Sequence, residues 1–149
     1  ADLVADGALG AVGVSNFDVD QLERAQAVTD VPVVANQVEM HPLCQQSALV
    51  EAVAGTDVTL VAYAPLARGR VFEVEPVVDI AEKHGVSPAA VSLAWLTDRP
   101  NVVAVAKSTN PAHLRANLEA ASLSLDPDDV RRIEAIDRTE RLVDVAAYE

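Results

Sequence analysis

Four short apolar runs, each closed by a polar segment and followed by helical spacing, restrict this chain to a parallel α/β architecture. The runs cover residues 9–14, 31–34, 58–63 and 102–106. They are continuous and β-branched rather than alternating, the pattern of strands covered on both faces of a parallel sheet. Helical spacing is predicted at 19–28, where Leu22, Ala25 and Val28 share a face, and at 46–54, closed by Gly55. Further helices are predicted at 77–84, stopped by Gly85, and at 88–97, 111–120 and 127–136. Asp18 or Asp20, Ser87 and Asp126 are start signals because their side chains can accept from free N–H groups of the first turn. Pro88 suits a first helical position, where no N–H is needed. The order is β-α-β-α-β-α-α-β-α-α. It fits either an open parallel sheet or part of a (β/α)8 barrel.

The chain has 149 residues, about one domain. "ADLVADG" at its start reads as the end of an amphipathic helix closed by Gly7, from which the expectation is that the chain begins in the middle of something. Half the residues are hydrophobic, yet only Phe17, Tyr63, Phe72, Trp95 and Tyr148 are aromatic, so the core must be mostly Val, Ala and Leu. The formal charge is −12, with lysine only at Lys83 and Lys107. Nucleic acid and anionic membrane are therefore not expected partners, since both need positive patches. The acidic, lysine-poor composition suits a protein kept soluble in high salt, and equally an ordinary acidic cytosolic one. No run approaches the ~18–20 apolar residues of a membrane span, and no signal peptide is read. Cys44 is the only cysteine. A cytoplasmic location is the expectation.

In both architectures, ligands bind beyond the C-terminal ends of parallel strands. Ser15 and Asn16 follow the first run, Asn36 and Gln37 the second, Tyr63 ends the third, and Lys107, Ser108 and Thr109 follow the fourth. Ser, Asn and Gln present directed donors and acceptors for an amide or hydroxyl. Tyr63 offers a face for stacking. Lys107, beside the helix start at Pro111, makes an anion site. Each residue also has a plainer role open to it: Ser15 and Asn16 as a helix cap, Asn36 and Gln37 as turn residues, Tyr63 at a core edge, Lys107 in solvent. His84 suits the negative end of a helix. Cys44 reads as a small buried or half-buried residue. No spacing of His, Cys and Asp suggests a metal site.

"GAVGVSNF", "ANQVEMHPL", "VAYAPLARG" and "AKSTNPAHLRANL", in this order and spacing, resemble the aldo-keto reductases, especially the 2,5-diketo-gluconate reductase-like members. The resemblance covers essentially the whole chain, 1–149. It implies the C-terminal half, about four βα units, of a (β/α)8 TIM barrel that binds NADPH and reduces aldehydes and ketones. By the same resemblance, Ser15, Asn16 and Gln37 look like the groups that hold the nicotinamide carboxamide. Tyr63 looks like the stacking ring, and Leu66 belongs to the loop over the pyrophosphate. Lys107, Ser108 and Thr109 look like contacts to the 2′-phosphate, and Asn117 resembles the adenine contact. His113 stands where many members carry an arginine, and Ala116 where an acidic residue is common. The choice between NADPH and NADH is therefore open.

The family's catalytic Tyr, Asp, Lys and His lie on earlier strands, and none maps here. His41, in "EMHPL", is expected to be structural. The chain alone is expected to be inactive and, with two strand edges and much of the barrel interior exposed, to be poorly stable alone or to pair with another half, self-association through those edges included. The competing expectation is a natural, non-catalytic half-barrel that binds a nucleotide or pairs with a partner half. An open flavodoxin-like or receiver-like sheet is less well supported, because no acidic cluster or Gly-rich loop ends the first strand. The C-terminal segment "RTERLVDVAAYE" is expected to fold over the barrel mouth, and the carbonyl substrate is not specified by these residues.

Overall fold

The structure, a computed structural model, describes residues 2–143. A short helix α1 (Asp2–Ala5) leads through Gly7, at φ 72°, into β1 (Val12–Ser15). There follow α2 (Val19–Val28), β2 (Val33–Glu39), α3 (Ser47–Val53) and β3 (Thr59–Tyr63). The second half contains α4 (Glu75–His84), α5 (Pro88–Thr97), β4 (Val102–Ala104), α6 (Pro111–Glu119) and α7 (Pro127–Glu134). The four strands form one parallel sheet in the order β1-β2-β3-β4.

Local chemistry sets the helix starts. Asp18 accepts from Gln21 N at 2.8 Å while the Gln21 side chain accepts from Asp18 N, a reciprocal cap that satisfies two otherwise free donors. Ser87 caps α5 through Ala90 N, and Asp126 caps α7 through Asp128 N and Asp129 N. Gly85 ends α4 in the left-handed region, φ 65°, which costs glycine nothing.

One sheet face builds the core. Leu60, Ala62, Val38 and Val102 pack with Leu22, Leu49, Val53, Ile80, Trp95 and Ile133. The other face differs from the expectation of strands covered on both sides. Gly13, Ser15 and Gln37 are exposed there, Val61 and Tyr63 half-buried, and Val103 is 48 % exposed. The pairings Ser15↔Gln37, Gln37↔Val61 and Val61↔Val103 place the Ser15, Gln37, Val61 and Val103 side chains in one row. The helices cover only one face because every strand-helix-strand crossover turns the same way. A Cβ at Gly13 would meet the Ala35 carbonyl oxygen at 3.2 Å, so β1 and β2 approach closely there.

Several elements differ from their predicted bounds: the first strand covers Val12–Ser15 rather than 9–14, so Ser15 lies within it, and the fourth stops at Ala104 rather than Ala106. The second strand begins at Val33 and runs to Glu39, so Asn36 and Gln37 lie within it rather than after it. Residues 67–73 form tight helical turns broken at Arg68 and Gly69, where no helix was predicted.

Lys83 bridges α4 to the cap of α7, at 2.6 Å from Asp126 and 2.7 Å from Asp129. His84 reaches Asp129 at 2.6 Å. The Lys83 hydrogen bond, helped by the Asp129 N–H, holds the Asp126 carboxyl down at about 2. Burial pushes Asp129 up, but its bonds to Lys83 and His84 outweigh this and leave it below its ordinary value. These groups favour the folded state above the ordinary carboxylate range, and that contribution is lost as pH falls from about 4 toward 2. Acid unfolding of Lys83→Ala is therefore expected at higher pH than wild type, read by circular dichroism. Coincident acid transitions would contradict this role.

Candidate functional site

Ser15, Asn16, Gln37 and Tyr63 form one connected group at the strand ends. Ser15 Oγ donates to the Gln37 carbonyl at 2.9 Å, and Asn16 N donates to the same oxygen at 2.8 Å. Asn16 Nδ2 lies 3.3 Å from Ser15 Oγ, and Tyr63 OH donates to Asn16 Oδ1 at 2.8 Å. Asn16 holds φ 58°, a conformation that asparagine tolerates better than most residues. Its backbone is turned so that the amide faces Tyr63 instead of capping α2, which Asp18 does.

Asn36 corrects the sequence reading. It is fully buried and points to the helix side, where Nδ2 donates to the Phe17 carbonyl at 2.9 Å and Oδ1 accepts from Phe17 N at 3.4 Å. Its role is to pin the loop that carries Ser15 and Asn16. Only Gln37, one residue on, faces the open side.

A second group lies one strand over. Ala64, Pro65, Leu66, Arg68, Gly69, Val105, Ala106 and Lys107 enclose a groove of about 410 Å³ between the β3 and β4 ends. Ala64, Ala67 and Arg68 have φ of 51°, 48° and 52°, an accumulation of left-handed non-glycine residues in one loop. Such strain persists only where surroundings enforce it, and it concentrates at ligand-binding loops. Ser92 Oγ, fully buried on α5, donates to the Pro65 carbonyl at 2.7 Å and helps to fix this loop. Lys107 is exposed and, among the described residues, joins no ion pair, whereas Lys83 is doubly paired. Ser108 Oγ accepts from Asn110 N, and Asn110 caps α6 through Ala112 N at 2.9 Å. Thr109 is exposed beside them. Asn117 is half-buried in α6, eight residues beyond Thr109, and does not line the groove.

Glu39 and Arg141 were not singled out in the sequence. Glu39 ends β2 fully buried and accepts from Leu142 N at 2.7 Å, Val143 N at 3.0 Å and His41 Nε2 at 2.9 Å. Leu43 N donates to His41 Nδ1, which leaves Nε2 as the hydrogen-bearing atom. Burial pushes the His41 imidazole below its ordinary value, against the pull of Glu39, so the ring is neutral. His41 is thus a structural donor, as the sequence predicts. Arg141 Nη2 donates to Asn16 Oδ1 at 3.2 Å. The available signal was a carboxylate at the end of an apolar strand with histidine two residues on. The C-terminal segment therefore crosses the strand ends up to Val143, while Tyr148 lies outside the described residues. Burial and the nearby Glu39 push the Cys44 thiol up, leaving it a poor nucleophile.

Comparisons with known proteins bear on the fold and the family. The Aldo/keto reductase family model matches residues 1–138. An aldo-keto reductase of Mycolicibacterium smegmatis is 36% identical over 132 residues, covering 89% of this chain and 46% of that protein. Methylglyoxal reductase DkgA of Escherichia coli is 33% identical over 143 residues, covering 95% and 52%. The crystal structure of Gox0644 in its apo form superposes with a TM-score of 0.86 at 38% identity, covering 96% of this chain and 53% of that one. The chain spans about half the length of the curated relatives it matches. Its four-stranded parallel sheet, helical on one face, corresponds to half of such a barrel. The chain belongs to the aldo/keto reductase family.

Proposed function

We propose that this chain is the nucleotide-binding half of an NADPH-dependent oxidoreductase that reduces aldehydes and ketones to alcohols. It forms one partial domain over 1–149, working in the cytoplasm. The observation that carries this reading is the linked row Ser15–Asn16–Gln37–Tyr63, set beside the strained groove that ends at Lys107. The donor set fits a nicotinamide dinucleotide: an amide and a hydroxyl for a carboxamide, an aromatic face, and a cation at a helix start. When bound, the dinucleotide supplies the hydride. Ser15, Asn16 and Gln37 hold the carboxamide, and Tyr63 stacks and fixes the ring face. Leu66 and its loop cover the pyrophosphate. Lys107, Ser108 and Thr109 meet the 2′-phosphate, and Asn117 meets adenine. NADH is the alternative cofactor, since His113 lacks the fixed charge and fork of an arginine.

The proton donor for the developing alkoxide comes from outside this chain. A carbonyl reduced without a positioned acid gains little. The chain alone is expected to show no NADPH consumption with methylglyoxal, a substrate chosen from the name of the relative DkgA. Co-expression with the N-terminal half of that relative is expected to restore it. An assembled pair without turnover would refute the reductase reading, and turnover by the chain alone would refute the missing acid.

A second reading is a non-catalytic half-barrel that pairs with another copy of itself. The free β1 and β4 edges and the exposed Val103 and Val105, 48 % and 50 % open, favour it. Sedimentation showing a stable dimer that binds NADPH tightly without turnover, with or without the second half, would select it.

A further inference from the structure

We propose that Glu39 is a positioning residue that straps the C-terminal segment across the strand ends and, through it, fixes the amide of Asn16 for nucleotide. The consequence for nucleotide rests on the cofactor-site reading above; the strap itself does not.

The geometry has three parts. First, three residues of the segment within four positions are fastened to one short stretch, 39–43. Glu140 N donates to the Leu43 carbonyl at 2.7 Å, and Leu142 N and Val143 N donate to the two oxygens of Glu39. Second, Glu39 is fully buried, so its carboxylate must be compensated; His41 and the two backbone N–H groups do so. Third, the residue between these anchors, Arg141, projects onto Asn16 Oδ1 at 3.2 Å. That oxygen already accepts from Tyr63 OH. With two donors on Oδ1, the amide cannot flip, and Nδ2 stays turned toward Ser15. Arg141 Nε lies 3.9 Å from Glu39 Oε2, so the same carboxylate also steers the guanidinium.

A pre-oriented amide binds its ligand without first losing rotational freedom. Releasing the strap therefore weakens nucleotide binding through Arg141 and Asn16, Glu39 itself being fully buried beside Tyr63 in the sheet register. Glu39→Gln is the informative change, because it keeps the volume but cannot accept from both N–H groups and His41 together.

The test combines two readouts on the whole chain. In amide hydrogen exchange, Glu39→Gln is expected to cut protection of Leu142 and Val143 by about tenfold or more, with Leu60 in the core unchanged. In NADPH titrations, Glu39→Gln and Arg141→Ala are each expected to raise Kd about fivefold, and the double variant no further, because both remove one pathway. Unchanged protection of Leu142 and Val143, or equal loss at Leu60, overturns the strap. Additive effects of the two substitutions, or none from Arg141→Ala, overturn its action on Asn16. If wild type binds no NADPH, the cofactor-site reading and the strap's action on nucleotide both fall, and the exchange result still decides the strap.

Discussion

Trp95→Ala is expected to destabilise the chain by about 3–5 kcal/mol, the largest effect of any single substitution considered. Trp95 is 1 % exposed in α5, within the cluster that joins the sheet to α4 and α7. Among the described residues it is the bulkiest fully buried side chain, in a core otherwise built mainly from Val, Ala, Leu and Ile with Met40. Small neighbours cannot move far enough to fill the space it leaves. The guanidinium of Arg99 stacks on its ring at 4.1 Å, and the substitution removes that contact too. Trp95→Phe is expected to cost less, about 1–2 kcal/mol, because most of the ring volume remains. Urea unfolding followed by circular dichroism measures both. Equal losses would show that ring volume is not what α5 contributes.

Tyr63→Ala is expected to weaken NADPH binding by about 1–3 kcal/mol, the range for loss of an aromatic stacking partner. Tyr63→Phe keeps the ring and loses only the 2.8 Å bond to Asn16, so it should cost much less. The comparison separates stacking from amide orientation. Tyr63 is half-buried at the sheet rim rather than in the core, so a fold-wide collapse is not the expected route. Calorimetric titration of both variants reads the difference. If Phe and Ala weaken binding equally, the hydroxyl and not the ring face is the working part.

Much of this was legible in the sequence, because the signals are local. The caps Asp18, Ser87 and Asp126 act within three residues, and the strand-end positions of Ser15 and Tyr63 follow directly from apolar runs, whereas the fourth strand stops at Ala104, three residues before Lys107. The second strand was truncated in that reading because Asn36 and Gln37 look like turn residues. Asn36 is instead satisfied by the Phe17 backbone 19 residues away, and Gln37 sits on an uncovered face. The 67–73 turns were missed because positive φ at Ala67 and Arg68 leaves no compositional trace. Glu39 is not legible because two of its three partners are 103 and 104 residues distant and only His41 is local.

The central claim is that the strand ends hold a phosphorylated dinucleotide, with Lys107 at its anionic end. The most direct measurement is a fluorescence titration of NADPH into wild type and Lys107→Ala at low and high salt. Wild type is expected to bind, more weakly as salt rises. Lys107→Ala should lose affinity about fivefold or more at low salt and show a shallower salt dependence, since one screened ion pair is gone. Absence of binding, or binding that is indifferent to Lys107, would contradict the account.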